Sequence, residues 1–189
     1  MIALATVAMA AGVQAAQVDW SAGRNFIKDT NGSAALKGQN VYLVLATAGD
    51  TFDAFKADLA SGTVTESNIK NNSLYLGTGK TASSDGALAK TSSEAGKGGL
   101  KADGNPYDLV FVTFATVNGT DYYYLSSVSK TAAWDDATQY THDLSSPANW
   151  AGSTFSKDNW HTVSAVPEPT SGLLLLLGVA GLALRRRRA

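Results

Sequence analysis

Leu109-Val110-Phe111-Val112-Thr113-Phe114-Ala115-Thr116-Val117, then Asn118-Gly119, then Thr120-Asp121-Tyr122-Tyr123-Tyr124-Leu125 is the stretch that decides the fold. β-Branched and aromatic side chains fill both arms, a composition suited to a pleated, buried surface. Asn-Gly is the preferred pair for a two-residue type I′ turn, because both positions need positive φ. Closing the turn there sets Val117 opposite Thr120, Phe114 opposite Tyr123 and Val112 opposite Leu125. Side chains alternate along a strand. One face therefore carries Val110, Val112, Phe114, Tyr123 and Leu125, and we assign it to the core. The other carries Leu109, Phe111, Tyr122, Tyr124 and Val128, with Thr113 and Ala115 between them. Both faces are at least half apolar, which places the hairpin inside a sheet and not at an exposed edge.

Shorter segments of the same kind flank it. Asn40 to Thr47 is a near-continuous apolar run that reads as a strand covered on both faces. Val18-Asp19-Trp20, Ser73 to Leu76, Gln139 to His142 and Trp160 to Val163 are further strand candidates. One amphipathic helix is predicted, capped by Asp50 or Thr51, with Phe52, Phe55 and Leu59 on one side and Gly62 ending it. It would close one end of the β core. From Gly77 to Gly104 the chain turns to Gly, Ser, Ala, Thr and Lys with few large apolar groups. That composition predicts a surface loop or a loosely ordered excursion. The whole predicts an all-β fold, a mostly antiparallel β-sandwich or jelly roll, with one short helix.

Both ends of the chain are different in kind. Ile2 to Val13 is apolar and Ala-rich, with the length of a signal-peptide core, and Val13-Gln14-Ala15 offers a peptidase site after Ala15. No Lys or Arg precedes the run, which predicts a translation start a few codons upstream. At the other end, Pro167, Glu168 and Pro169 form a stiff, extended hinge. Behind it lies an apolar segment carrying Leu173, Leu174, Leu175, Leu176, Leu177, Leu182 and Leu184, then Arg185, Arg186, Arg187 and Arg188. Leu173 to Leu184 spans ~18 Å as a helix, short for a hydrocarbon core of about 30 Å. The arginines fix direction: they stay cytoplasmic, which puts the rest of the chain across the membrane. Three regions follow: a signal peptide over 1–15, a β-rich body over 16–165 and a tail over 166–189.

The net charge of the 189 residues is −1, and removing the four tail arginines takes it to −5. A mildly acidic body argues against a nucleic-acid binder, which needs basic surface. With no cysteine, a disulfide framework, thiol chemistry and Cys-based zinc sites are excluded.

Val166-Pro167-Glu168-Pro169, the Leu/Gly/Ala segment and the Arg cluster occur in the order of the PEP-CTERM sorting domain, and the chain closely resembles that family over Val166 to Arg188. The resemblance implies recognition by an exosortase, a membrane transpeptidase-like enzyme expected to cut near Pro167-Glu168-Pro169. It also implies a Gram-negative-type envelope and an association with exopolysaccharide or biofilm production; the Ala15 site itself calls for a signal peptidase, and the apolar segment for at least transient residence in the membrane.

Within the body no pattern identifies an activity, and no cofactor is implied. Gly77-Thr78-Gly79-Lys80-Thr81 looks like the end of a phosphate loop, but Leu74 stands where its first glycine is required. His142 and His161, with Asp135, Asp136 and Asp143 near the first, are the residues a small hydrolase would use, without a recognisable spacing. Asp103, Asn105 and Asp108 resemble part of a calcium loop or a plain turn. Tyr122, Tyr124 and Trp134 are candidates for a sugar-stacking platform, since tyrosines two apart share a strand face. The competing assignment for them is core packing. The expectation is a non-enzymatic surface or matrix protein, with a carbohydrate-binding module as the alternative.

Overall fold

Asn118 and Gly119 both adopt positive φ, 51° and 78°, and the chain reverses there as the dipeptide demands. The computed structural model describes residues 16–24, 27–46, 49–133, 139–144 and 157–164. Strands β1 (Gln17–Ala22), β2 (Asn40–Leu45), β3 (Tyr75–Lys80), β4 (Leu88–Ser92), β5 (Asp108–Val117), β6 (Thr120–Leu125), β7 (Ser129–Lys130), β8 (Gln139–Asp143) and β9 (Trp160–Thr162) accompany one α-helix, α1 (Asp50–Ser61). The fold is mostly β, as the composition of the segments implied. The predicted signal segment and tail, and Trp134, Asp135 and Asp136, lie outside the described residues.

The strands form two sheets. The larger runs β3-β2-β5-β6-β9, with β7 also paired to β5; the smaller runs β4-β1-β8. Val117 pairs with Thr120, Phe114 with Tyr123 and Val112 with Leu125, the register set by the turn. All strand pairs are antiparallel except β1 with β8. Where β6 ends, Ser126 keeps the ladder going: its N–H donates to the Phe111 carbonyl (3.0 Å) and its Oγ accepts the Phe111 N–H (2.9 Å). β7 then resumes pairing at Leu109 and Asp108.

Both faces of the larger sheet are covered. On one, Val41, Leu43, Leu109, Phe111, Tyr124 and Trp160 meet Val18, Trp20 and Leu88 of the smaller sheet. On the other, Tyr42, Val44, Val110, Val112 and Tyr123 meet Phe55 and Leu59 of α1 together with Ile69. α1 thus covers a sheet face and does not close an end. The face of the hairpin carrying Leu109, Phe111 and Tyr124 is the more completely buried one. Phe114 and Leu125, assigned to the core, are only partly covered. Each fully buried side chain of this size contributes about 1.5–3 kcal/mol, so both faces matter to stability.

Two further expectations are corrected. Helix α1 is capped by Gly49, with no side-chain bond, and not by Asp50 or Thr51, which are its first two residues. The stretch from Gly77 to Gly104 is not a loose excursion: it holds the last four residues of β3 and all of β4. Its glycines are there for close approach. A Cβ on Gly77 would lie 2.9 Å from Ser93 Cα, and one on Gly79 would lie 2.7 Å from Leu88 Cδ1 and 3.3 Å from the Trp20 ring. The Ser92–Ser93 segment can lie this close to β3 only because Gly77 lacks a side chain, and Leu88 and Trp20 only because Gly79 does.

Candidate functional site

Among the described residues, His142, Asp143 and His161 do not form one hydrolytic site. His142 lies on β8 of the smaller sheet and is 0% exposed, its Nε2 2.7 Å from Ser129 Oγ. Burial holds its pKa below the ordinary histidine value, against an opposing pull from the Asp143 carboxylate. Asp143 follows on the strand and is exposed. His161 sits on β9, at the edge of the other sheet, with its ring 5.1 Å from that of Tyr123. Asp103 accepts the Asn105 N–H (3.1 Å), as in an ordinary turn, and Asp108 faces Lys130 at 3.9 Å. Among the described residues no group of three or more His, Cys, Asp or Glu is placed to hold a metal ion.

The tyrosine platform also fails as drawn. Tyr124 is 0% exposed. Its ring stacks on Phe111 at 5.5 Å and 13° and meets Trp160 edge-on at 5.3 Å. A sugar cannot reach it. Tyr122, on the same face, is half-buried, because the smaller sheet and Trp160 cover only the part of the hairpin away from the turn. Gly77-Thr78-Gly79-Lys80 forms strand β3, not a loop opening a helix.

The structure supplies instead a cleft of about 520 Å³ beside the turn end of the hairpin. The connection Gly62 to Ser67, after α1, forms one wall, and Phe114, Thr116, Asp121 and Tyr122, the last a predicted sugar-stacking residue, form another, with Gln39 and Val163 also in the lining. Its polar groups are ordered. Glu66 Oε1 accepts from Asn40 Nδ2 (2.9 Å) and from the Tyr42 hydroxyl (3.3 Å). Burial, helped by the Glu66 charge, pushes the Tyr42 hydroxyl up to about 12, so it stays a donor. Asp121 Oδ1 accepts from Thr116 Oγ1 (2.7 Å). Sequence reasoning reached only Tyr122 of this site, because its parts come from four separated segments and only the hairpin advertised itself.

The cleft adjoins the chain's exit. Val163 donates its N–H to the Asp121 carbonyl and Ser164 donates to the Ala60 carbonyl, both at 2.9 Å. Ser164 is the last described residue. Directly after it, residues 165–188 match the PEP-CTERM protein-sorting motif. The chain is therefore a PEP-CTERM-containing protein, and the motif marks it for export, for an exosortase, and for sorting to the cell envelope or surface. No curated protein and no solved structure matches the chain. Among the described residues no helix is long and apolar enough to cross a membrane.

Proposed function

We propose that the folded body is a non-enzymatic passenger, a structural protein of the cell surface or of an exopolysaccharide matrix. A signal peptidase releases it after Ala15, the Leu173–Leu184 segment holds it in the membrane, and an exosortase acting at Pro167-Glu168-Pro169 delivers it. The observation that carries this reading is the sorting motif at residues 165–188, which begins directly after the last described residue of the body, Ser164. Intact-mass analysis of the protein from cells with and without the exosortase gene tests it. Loss of Arg185 to Arg188 only when the enzyme is present, with the body then in the surface or matrix fraction, is the expected result. A mature surface protein that keeps the arginines in both strains refutes it.

A polysaccharide ligand is the second reading, favoured by the cleft. Carboxylates and hydroxyls beside the Phe114 ring suit a sugar, whose hydroxyls need acceptors and whose ring face is apolar. A glycan array on the full chain, repeated with Glu66→Ala, tests it: signals that Glu66→Ala leaves unchanged would remove the cleft from consideration.

A further inference from the structure

The sorting motif has no spacer. Trp160 is tied by its Nε1 to the Lys28 carbonyl (3.0 Å), β9 is paired with β6 from Tyr122 to Tyr124, and Ser164 is bonded to Ala60 (2.9 Å). Val163 lies over Gly62, where a Cβ would come within 2.7 Å of its Cγ1. The chain is thus held to the body up to Ser164, and the motif begins at the next residue.

Covalent geometry bounds what can follow. Pro167 is three residue steps beyond Ser164, and a fully extended chain covers at most about 3.6 Å per residue, so the gap is at most ~11 Å. One α-helix with its side chains is about 10–12 Å thick. An enzyme holding Pro167-Glu168-Pro169 in a groove therefore has room for no more than one helical layer between the peptide and the body.

We infer that the rim of the folded body around this exit, the connection Gly62–Ser67 with the edge at Thr116 and Asp121, is part of the surface the exosortase touches. The inference rests on the reading that an exosortase engages this tail, and it adds that the enzyme reads the motif together with the body that presents it. Thr63 and Ser67 are exposed on this connection, so their side chains project from the rim and can be enlarged without entering the core.

The test uses the full chain expressed in an exosortase-bearing host, scoring by intact mass the fraction that has lost the tail. Thr63→Trp and Ser67→Trp place bulk on the rim; Ala89→Trp places it at an exposed position of β4, in the other sheet. Each is made with and without a 12-residue Gly/Ser insertion after Ser164, which adds roughly 19 Å of mean reach. Processing of the two rim variants is expected to fall about tenfold, the effect of losing one good interface contact, and to return to the wild-type level with the insertion. Ala89→Trp should be processed normally. Rim variants processed like wild type overturn the proposal, as does a defect that the insertion fails to relieve, since that defect would come from folding or export. Failure of the unaltered chain to be processed at all is a different result and would sink the sorting reading itself.

Discussion

Lys90 Nζ lies 2.6 Å from Asp19 Oδ2, an exposed ammonium closing over a carboxylate whose side chain is 2% exposed. Asp19 is the central outward residue of β1. Ser92 of β4 donates to its other oxygen, as does Gln139 of β8 (2.7 Å), so both neighbouring strands contribute. Burial alone would push this carboxyl up; the bonds from Lys90, Ser92 and Gln139 outweigh it and hold the pKa below the usual carboxylate value. A carboxylate with a depressed folded pKa contributes stability above its unfolded value and loses it as pH falls through the folded one. Asp19→Ala should cost about 2–3 kcal/mol at pH 7, the scale of losing charge-assisted hydrogen bonds in a buried setting. The deficit should shrink as pH falls below about 4, where Asp19 of the unfolded chain takes up its proton before that of the folded one. Urea unfolding of both proteins at pH 7 and pH 3 measures it.

His142 gives a second, separate pH window. Its imidazole is buried beside Ser129 Oγ, and burial lowers its pKa. The unfolded chain takes up the proton first, so stability is full above about pH 6.5 and declines as pH falls from there toward the folded pKa. His142→Leu removes the titrating group while keeping an apolar body of similar size. It should lower stability by about 1–2 kcal/mol at pH 7.5 through the lost Ser129 bond. It should also flatten the decline between pH 6.5 and pH 5 that the wild type shows. A variant that keeps the full wild-type slope would mean that another group titrates.

The same sheets show which parts of this architecture a reader of the sequence can reach. The β5–β6 register followed from Asn118-Gly119 and alternating side chains, both local signals. The ordering of β3 and β4 did not. Gly77 and Gly79 look like loop residues, yet they are strand residues because Ser93, Leu88 and Trp20 press against them. Those contacts join residues far apart in sequence, and composition carries no trace of them. Tyr122 and Tyr124 make the point at a candidate site: alternation put them on one face, but only Phe111 and Trp160 decide that Tyr124 is sealed. The cleft was hidden for the same reason, since Glu66 gains its place through Asn40 and Tyr42 of β2.

The two β3 glycines should differ in their tolerance of a methyl group. At Gly77 the nearest atom is backbone, Ser93 Cα at 2.9 Å, with the Ser92 carbonyl oxygen at 3.3 Å. At Gly79 it is Leu88 Cδ1, the end of a side chain that can rotate. Relief at Gly77 requires the Ser92–Ser93 segment to move away from the sheet, and overpacking of that kind costs about 1–3 kcal/mol. Gly77→Ala is expected near the top of that range and Gly79→Ala near its bottom. Thermal melts of the two variants side by side check the order, and the reverse order would contradict the close approach of the Ser92–Ser93 segment to β3.

Gly62 joins the helix terminus to the chain's exit. It ends α1 in the left-handed region (φ 75°), its N–H bonded to the Leu59 carbonyl. Gly62→Ala meets two separate costs. The left-handed conformation disfavours any Cβ by about 1–2 kcal/mol, and this Cβ would sit 2.7 Å from Val163 Cγ1. Only the second cost depends on Val163. In a Val163→Ala background the methyl group it would strike is gone, so Gly62→Ala should be milder there by about 1 kcal/mol. The displaced Val163 should also loosen the Ser164 bond to Ala60, read as faster amide exchange at Ser164 in Gly62→Ala than in wild type. Equal costs in both backgrounds, with unchanged exchange at Ser164, would show that Val163 does not bear on Gly62. The hold on the chain just before the motif would then depend on β9 and Trp160 alone.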